Sequence, residues 1–286
     1  MAELKVRELN PWFGAEIEGL EPSIPIDDDT LAELRRIFDE RSVVVFRNLD
    51  ISEEFQRYLL FALLGQDPPP PEQLRPTPFL VSNKEENGGA PYGRLLFHCD
   101  TMWADVPQPA LSLYGLEVNQ PSVPTMFASM VHGWETLPDD LKQRVEGLEA
   151  KQGHEHKYAN RGGDDDVIDT YYDDPQSTIT PVHHHNTRTG RDTLYVSQQV
   201  TLEILGLEPA ENEELLEALF DHLYRDDNVI AHEWRTGDLV IWDNEAVQHA
   251  RGNVNLDGPE RTLRKVTGPM DISAMGKKTP TYSKVM

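Results

Sequence analysis

Residues 237–249 read GDLVIWDNEAVQH. Gly237-Asp238 makes a turn, Leu239 to Trp242 an unbroken apolar run of strand length, Asp243-Asn244 a second turn, and His249 opens the next strand. Such a run, bounded by turn residues, is how a buried strand reads. Working outward, the same punctuation predicts short strands at 42–46, 110–117, 125–129, 193–197, 229–234, 238–242, 249–255 and 260–267. Helices are predicted over 27–40, where Leu31, Leu34, Ile37 and Phe38 share a face behind capping Asp and Thr residues, and from Ser52 to a stop at Gly65. Two more are predicted at 135–147 and 211–223. Many short strands with a few flanking helices mean a mainly β chain, a sandwich or a barrel. No repeat or linker interrupts it, so 1–286 is expected to form a single domain. An inserted lid-like segment at about 151–185 contains the acidic, aperiodic stretch 159–180.

Composition narrows the function. Lys and Arg number 26 against 50 Asp and Glu, a formal charge of −24, which disfavours nucleic acid and anionic membrane surfaces. The single cysteine, Cys99, excludes an internal disulfide and any multi-cysteine zinc or iron–sulfur centre. No apolar run reaches the length of a membrane span, and MAELKVRELNPW lacks the apolar core of a signal peptide. A cytoplasmic protein is expected, with a homo-oligomer left open.

The chemistry sits in two places. His98-Cys99-Asp100 follows an apolar strand, and residues i and i+2 of a strand share a face. Should the end of that strand meet the start of the one opened by His249, two imidazoles and one carboxylate would converge. That donor set leaves one face of a metal open and suits non-haem Fe(II) activating O2 better than a structural zinc ion. Beyond His249 the chain reads ARGNVNLDGPERTLRKVT, with a hairpin signal at Asp257-Gly258. His249, Arg261 and Lys265 are all odd-numbered. Placing them on one face across such a hairpin requires a loop of odd length, for instance Asp257-Gly258-Pro259.

Taken together, FGAEIEGL (13–20), RSVVVFRNLDIS (41–52), FHCDTMW (97–103), TRTGRDTLYVS (187–197), GDLVIWDNEAVQHAR (237–251) and ERTLRKVT (260–267) resemble the taurine/2,4-dichlorophenoxyacetate dioxygenase (TauD/TfdA) family. The resemblance implies a double-stranded β-helix (jelly roll) core. It also implies dependence on Fe(II), 2-oxoglutarate and O2, with decarboxylation to succinate and CO2 coupled to C–H oxidation of a small molecule. By the same resemblance His98, Asp100 and His249 are the iron ligands and the catalytic centre. Arg261 and Thr125 hold 2-oxoglutarate. Lys265 and Arg94 fall where the family's taurine-oxidising member has an arginine and an asparagine near its substrate. They point to a carboxylate, sulfonate or sulfate other than taurine. Two competing readings remain at this stage: a metal-dependent hydrolase using the same three ligands, which needs no Arg261, and a non-catalytic barrel that binds a small anion.

Other residues carry blander readings. In a strand His183 and His185 share a face, but no carboxylate has matching spacing nearby in the chain, so a solvated or loop-packed cluster is expected. His154 and His156 read as a strand edge or site rim, His132 and His222 as surface or capping residues, and His232 as packing beside Trp234. Asp164 to Asp166 lack the spacing of a calcium loop. Cys99 should point away from the metal, into the wall. Trp103 and Trp242 read as core aromatics.

Overall fold

The computed structural model describes residues 4–70, 73, 78–153, 167–171, 176–269 and 281–284. The N-terminal part runs β1 (Lys5–Glu8), β2 (Ala15–Glu18), α1 (Asp28–Arg41), β3 (Val43–Phe46), α2 (Glu53–Leu63) and β4 (Phe79–Ser82). Next come β5 (Gly93–His98), β6 (Ala110–Val118), β7 (Thr125–Ser129), α3 (Met130–Glu135), α4 (Asp139–Val145) and β8 (Glu149–Gly153). Then follow β9 (Ile168–Tyr171), β10 (Ser177–Pro181), β11 (His183–His185), β12 (Asp192–Leu194), β13 (Thr201–Ile204) and α5 (Pro209–Leu223). The last strands are β14 (Val229–His232), β15 (Leu239–Asp243), β16 (Val247–Val254), β17 (Arg261–Thr267) and β18 (Thr281–Lys284).

Two sheets build the core. The larger has the order β1-β2-β3-β15-β6-β17-β4, and the smaller β14-β7-β16-β5. Within both, pairing is antiparallel except for β2 with β3. Alternation along each strand explains the sandwich. Val43, Val45, Leu111, Leu113, Val240, Trp242 and Leu263 of the large sheet pack with Phe127 and Val247 of the small one. Their sequence neighbours Val44, Phe46, Tyr114, Leu239 and Ile241, with Val266 of β17, face the other way and pack against α1 and α2. Strand β15 is therefore buried on both faces, which is why its sequence is continuously apolar. The crossovers and the two facing sheets are the expected jelly roll.

The helices follow their local signals. Asp27 caps α1 by accepting from Thr30 N at 3.1 Å, and Ser52 caps α2 by accepting from Phe55 N at 3.1 Å. Buried Gln56 ties α2 to the large sheet. Its Nε2 donates to Ser112 Oγ and to the Arg264 carbonyl, and its Oε1 accepts from Arg264 Nε at 2.7 Å. Gly237, two residues before β15, sits at φ +83°, and a Cβ there would lie 3.1 Å from the Leu49 carbonyl oxygen, so a side chain would be both strained and crowded.

Two expectations change. The helix over 135–147 is two short helices, because Pro138 cannot continue a helix and disfavours helical backbone before it. Strands β16 and β17 do not form a hairpin. β16 pairs with β5 and β7, while β17 pairs with β4 and β6, so residues 255–260 carry the chain from one sheet to the other. The Gly-rich segment 83–94 is anchored where Arg251 donates to the carbonyls of Ala90, Tyr92 and Gly93 at 2.7–2.9 Å. Of the inserted segment, 154–166 and 172–175 lie outside the described residues, and with them His154, His156 and Asp164 to Asp166.

Candidate active site

β5 and β16 are neighbours in the small sheet, and their register places His98 directly opposite His249. The rings face each other with centroids 4.2 Å apart. His98 Nε2 lies 3.4 Å from Asp100 Oδ1, and His249 Nε2 lies 3.8 Å from the same oxygen. A metal with bonds of about 2.1 Å at right angles separates adjacent donors by about 3.0 Å. These three side chains therefore fit one ion after sub-ångström adjustment.

The surroundings hold each donor in ligating form. His98 Nδ1 lies 2.7 Å from the Leu96 carbonyl, a contact that assigns the proton to Nδ1 and leaves Nε2 as the donor atom. Burial pushes His249 well below the usual histidine range, and the neighbouring His98 pushes the same way, so its imidazole stays neutral. Burial opposes the charge of Asp100, but Lys265 and the two imidazoles together hold its carboxyl well below the usual carboxylate range. Lys265 Nζ donates to Asp100 Oδ2. Asn244, fully buried, clamps the backbone of Asp100. Its Oδ1 accepts from Asp100 N at 3.0 Å, and its Nδ2 donates to the carbonyls of Asp100 at 2.8 Å and Gln108 at 2.9 Å. The sequence reading assigned Asn244 only to a turn. Its place directly after Trp242-Asp243 was the available signal. Cys99 points into the wall as expected, beside Met130 and the Val247 carbonyl. Trp103 and Trp242 are core aromatics, the latter 5.0 Å from the His249 ring.

Thr125 and Arg261 come together from opposite sheets. Arg261 is 4% exposed. Its Nη2 donates to Thr125 Oγ1 at 3.2 Å and its Nε to the Val123 carbonyl at 3.1 Å. Among the described residues no acidic side chain pairs with it. Burial first, and then the guanidinium of Arg251, both penalise its charge. Trp234 Nε1 donates to the same Thr125 hydroxyl at 2.9 Å, and Trp234 also lies under the guanidinium. Thr125 thus accepts two hydrogen bonds and keeps its own proton to give away. A buried fork donor beside a free hydroxyl proton is a receptor for a carboxylate. Neither sequence spacing nor periodicity pointed to Trp234.

Alternation along β17 turns Arg261, Leu263 and Lys265 to the sandwich interior. The expected common interior of His249, Arg261 and Lys265 is reached, but by a strand that changes sheet, so the odd-loop argument was not the reason. Arg94 stands at the other end of β5, two pleats and about 13 Å along the strand from His98. It forms a parallel bridge with Val167 of the inserted segment.

The remaining histidines divide. His232 packs edge-on to Trp234, as expected. His132 is a correction: it is 5% exposed, because Trp12 stacks on it at 4.4 Å. His222 is half-buried, its Nε2 2.8 Å from the Gly133 carbonyl. His183 and His185 do have a carboxylate within reach, supplied by Asp192 on the paired strand.

Comparison with known proteins agrees with this geometry. A family model described as "Taurine catabolism dioxygenase TauD, TfdA family" matches residues 5–267. Pentalenolactone F synthase of Streptomyces avermitilis is 29% identical, over 92% of each chain. The alpha-ketoglutarate-dependent 2,4-dichlorophenoxyacetate dioxygenase of Cupriavidus pinatubonensis is also 29% identical, over 91% of this chain and 95% of that one. The crystal structure of AAD-2 in complex with Mn(II) and N-oxalylglycine superposes with a TM-score of 0.74 at 24% identity, over 93% of this chain and 97% of that one, and shares the fold. The hydrolase and anion-binding readings accordingly give way: the chain belongs to the TauD/TfdA family of Fe(II)- and 2-oxoglutarate-dependent dioxygenases.

Proposed function

We propose that the chain oxidises a C–H bond of a small organic anion, with iron held by His98, Asp100 and His249 and 2-oxoglutarate held by Arg261 and Thr125. The observation that carries the substrate reading is the position of Lys265. It projects from the same strand face as Arg261 and meets Asp100 at the metal site. Its ammonium is the nearest cation to the open side of the ligand set that the sequence reading assigned to substrate. A carboxylate, sulfonate or sulfate arriving there takes over Lys265 and frees both Asp100 oxygens for the metal. Arg94 at the far end of β5 supplies a second cation for a longer anion. The dichlorophenoxyacetate-oxidising relative acts on a carboxylate of this kind.

Bound iron would supply the chemistry of O2 activation, with O2 as the oxidant and 2-oxoglutarate as the two-electron donor that leaves as succinate and CO2. The residues do the rest. The Arg261 fork and the Thr125 hydroxyl orient the distal carboxylate of 2-oxoglutarate. The Asn244 clamp keeps Asp100 aimed at the shared centre. Phe127 and Trp242, buried between the sheets behind His249, keep water from the inner side. The overall charge of −24 repels an anion at long range, but screening limits that field to about 8 Å, inside which the local cations dominate. No helix among the described residues is long and apolar enough to cross a membrane. We place the enzyme in the cytoplasm, where 2-oxoglutarate and ferrous iron are available.

The test is succinate release across a panel of small carboxylates, sulfonates and sulfate esters. Lys265→Met should raise KM for the preferred anion at least ten-fold and leave uncoupled 2-oxoglutarate turnover in place. A preferred substrate without an anionic group, or a KM untouched in both Lys265→Met and Arg94→Met, refutes the substrate reading.

A further inference from the structure

The antiparallel register of β11 with β12 sets His185 opposite Asp192 and His183 opposite Leu194. His183 and His185 share the outer face of this hairpin, while His184 turns inward. His183 Nε2 lies 3.0 Å and His185 Nδ1 2.5 Å from the same oxygen, Asp192 Oδ1. The three donor atoms fall within 4.8 Å of one another, as those of the iron ligands do. A tetrahedral ion with bonds of about 2.0 Å spaces its donors by roughly 3.3 Å, so an ion entering the cluster moves these atoms by less than 1 Å.

Three features make this more than a chance surface contact. His183 Nε2 is buried yet makes no hydrogen bond, although a carboxylate oxygen is 3.0 Å away. Its lone pair and the carboxylate meet at an angle, as donors around a third atom do. The His183 ring is also fixed, stacked on Trp134 with centroids 3.8 Å apart and planes within 12°. Finally, the inner side of the hairpin is pinned. His184 Nε2 lies 3.4 Å from buried Glu245 Oε2, Thr187 donates to both Glu245 oxygens, and Asn186 Nδ2 donates to both Asp243 oxygens. The ligand strands are therefore held in register before any ion binds.

We propose that His183, His185 and Asp192 form a second divalent metal site, separate from the oxygenase centre. Two imidazole nitrogens and one carboxylate oxygen select a borderline cation such as Zn2+, Ni2+ or Cu2+ over Mg2+ or Ca2+, which take all-oxygen sets. Solvent completes the coordination, since His185 and Asp192 are open to water. The ion staples the two strands of the hairpin whose inner face supports the 243–245 turn, and His249 follows that turn in β16. The site acts on the frame of the oxygenase centre and takes no part in its chemistry.

The test is zinc stoichiometry of the full-length metal-free protein by equilibrium dialysis and elemental analysis. The expected result is two zinc ions per chain in wild type and one in both His183→Gln/His185→Gln and Asp192→Asn. Ni2+ should quench Trp134, and this phase should vanish in Trp134→Phe and in the double variant while Trp242 still reports the first site. Trp134→Ala should weaken the second ion about ten-fold, as loss of an orienting contact does. Equal stoichiometry in wild type and in either ligand variant overturns the proposal. So does Ni2+ quenching of Trp134 that survives in the double variant. Neither result depends on whether the chain turns over an organic anion.

Discussion

Replacing Arg261 by Met separates binding from stability in opposite directions. In the folded protein the guanidinium is almost fully buried and, among the described residues, has no acidic partner. A carboxylate arriving at its fork makes a charge-assisted pair out of water. Truncating one partner of such a pair costs about 2–5 kcal/mol. At 1.4 kcal/mol per decade this weakens 2-oxoglutarate from roughly 30-fold to several thousand-fold. The effect on the metal-free protein is different. Met forfeits two hydrogen bonds, to the Val123 carbonyl and to Thr125, worth about 1.5–3 kcal/mol each because the donor is charged. It also removes an unpaired buried charge, whose penalty is several kcal/mol. The terms nearly cancel, and at about 2–4 °C per kcal/mol the melting temperature should stay within about 5 °C of wild type. The assay has two arms. Anaerobic titration of the Fe(II) protein with 2-oxoglutarate, followed by its visible charge-transfer band, reads the affinity. Thermal melts of metal-free protein by circular dichroism read the stability. Arg261→Lys, which keeps the charge but loses the fork, should fall between. A melting temperature lowered by more than 10 °C with unchanged 2-oxoglutarate affinity would mean that Arg261 is a structural residue, and the co-substrate assignment would be wrong.

Asn244→Ala removes three buried hydrogen bonds around Asp100 and Gln108, and should weaken Fe(II) about 10–100-fold in a metal titration while both histidines remain. Thr125→Val deletes the hydroxyl that Arg261 and Trp234 hold in place; calorimetry should show 2-oxoglutarate weakened by about ten-fold, with Thr125→Ser close to wild type. His222 is held below the usual histidine range, chiefly by burial. The unfolded chain therefore takes up a proton near pH 6.5 that the folded chain refuses, so this residue's contribution is present above that pH and lost as pH falls below it. The melting-temperature difference between wild type and His222→Gln should shrink from pH 8 to pH 5, and a difference that grows on acidification contradicts the burial argument. Removing the metal-site carboxylate in Asp100→Ala should abolish or strongly alter the charge-transfer band, and an unchanged band takes Asp100 out of the ligand set.

Much of this protein was legible in one dimension because the relevant forces are local. Capping by Asp27 and Ser52 uses groups three residues apart, and the apolar runs at 43–46 and 239–242 announce strands covered on both faces. The i, i+2 rule placed His98 with Asp100 and turned Cys99 away, and the i, i+4 rule placed Arg261 with Lys265. What escaped depends on which strand lies beside which. A hairpin signal at Asp257-Gly258 is the same string of letters whether the chain folds back or crosses to the facing sheet. Here β6 and β5 already occupy the positions that decide the pairing. Asn244 reaches Asp100, Trp234 reaches Thr125, and Asp192 reaches His183 and His185, through pairings and packing that no spacing along the chain encodes. Periodicity tells a side chain which face it takes; burial of both sheets against each other chooses its neighbours, because only one arrangement of these strands covers all of their apolar faces at once.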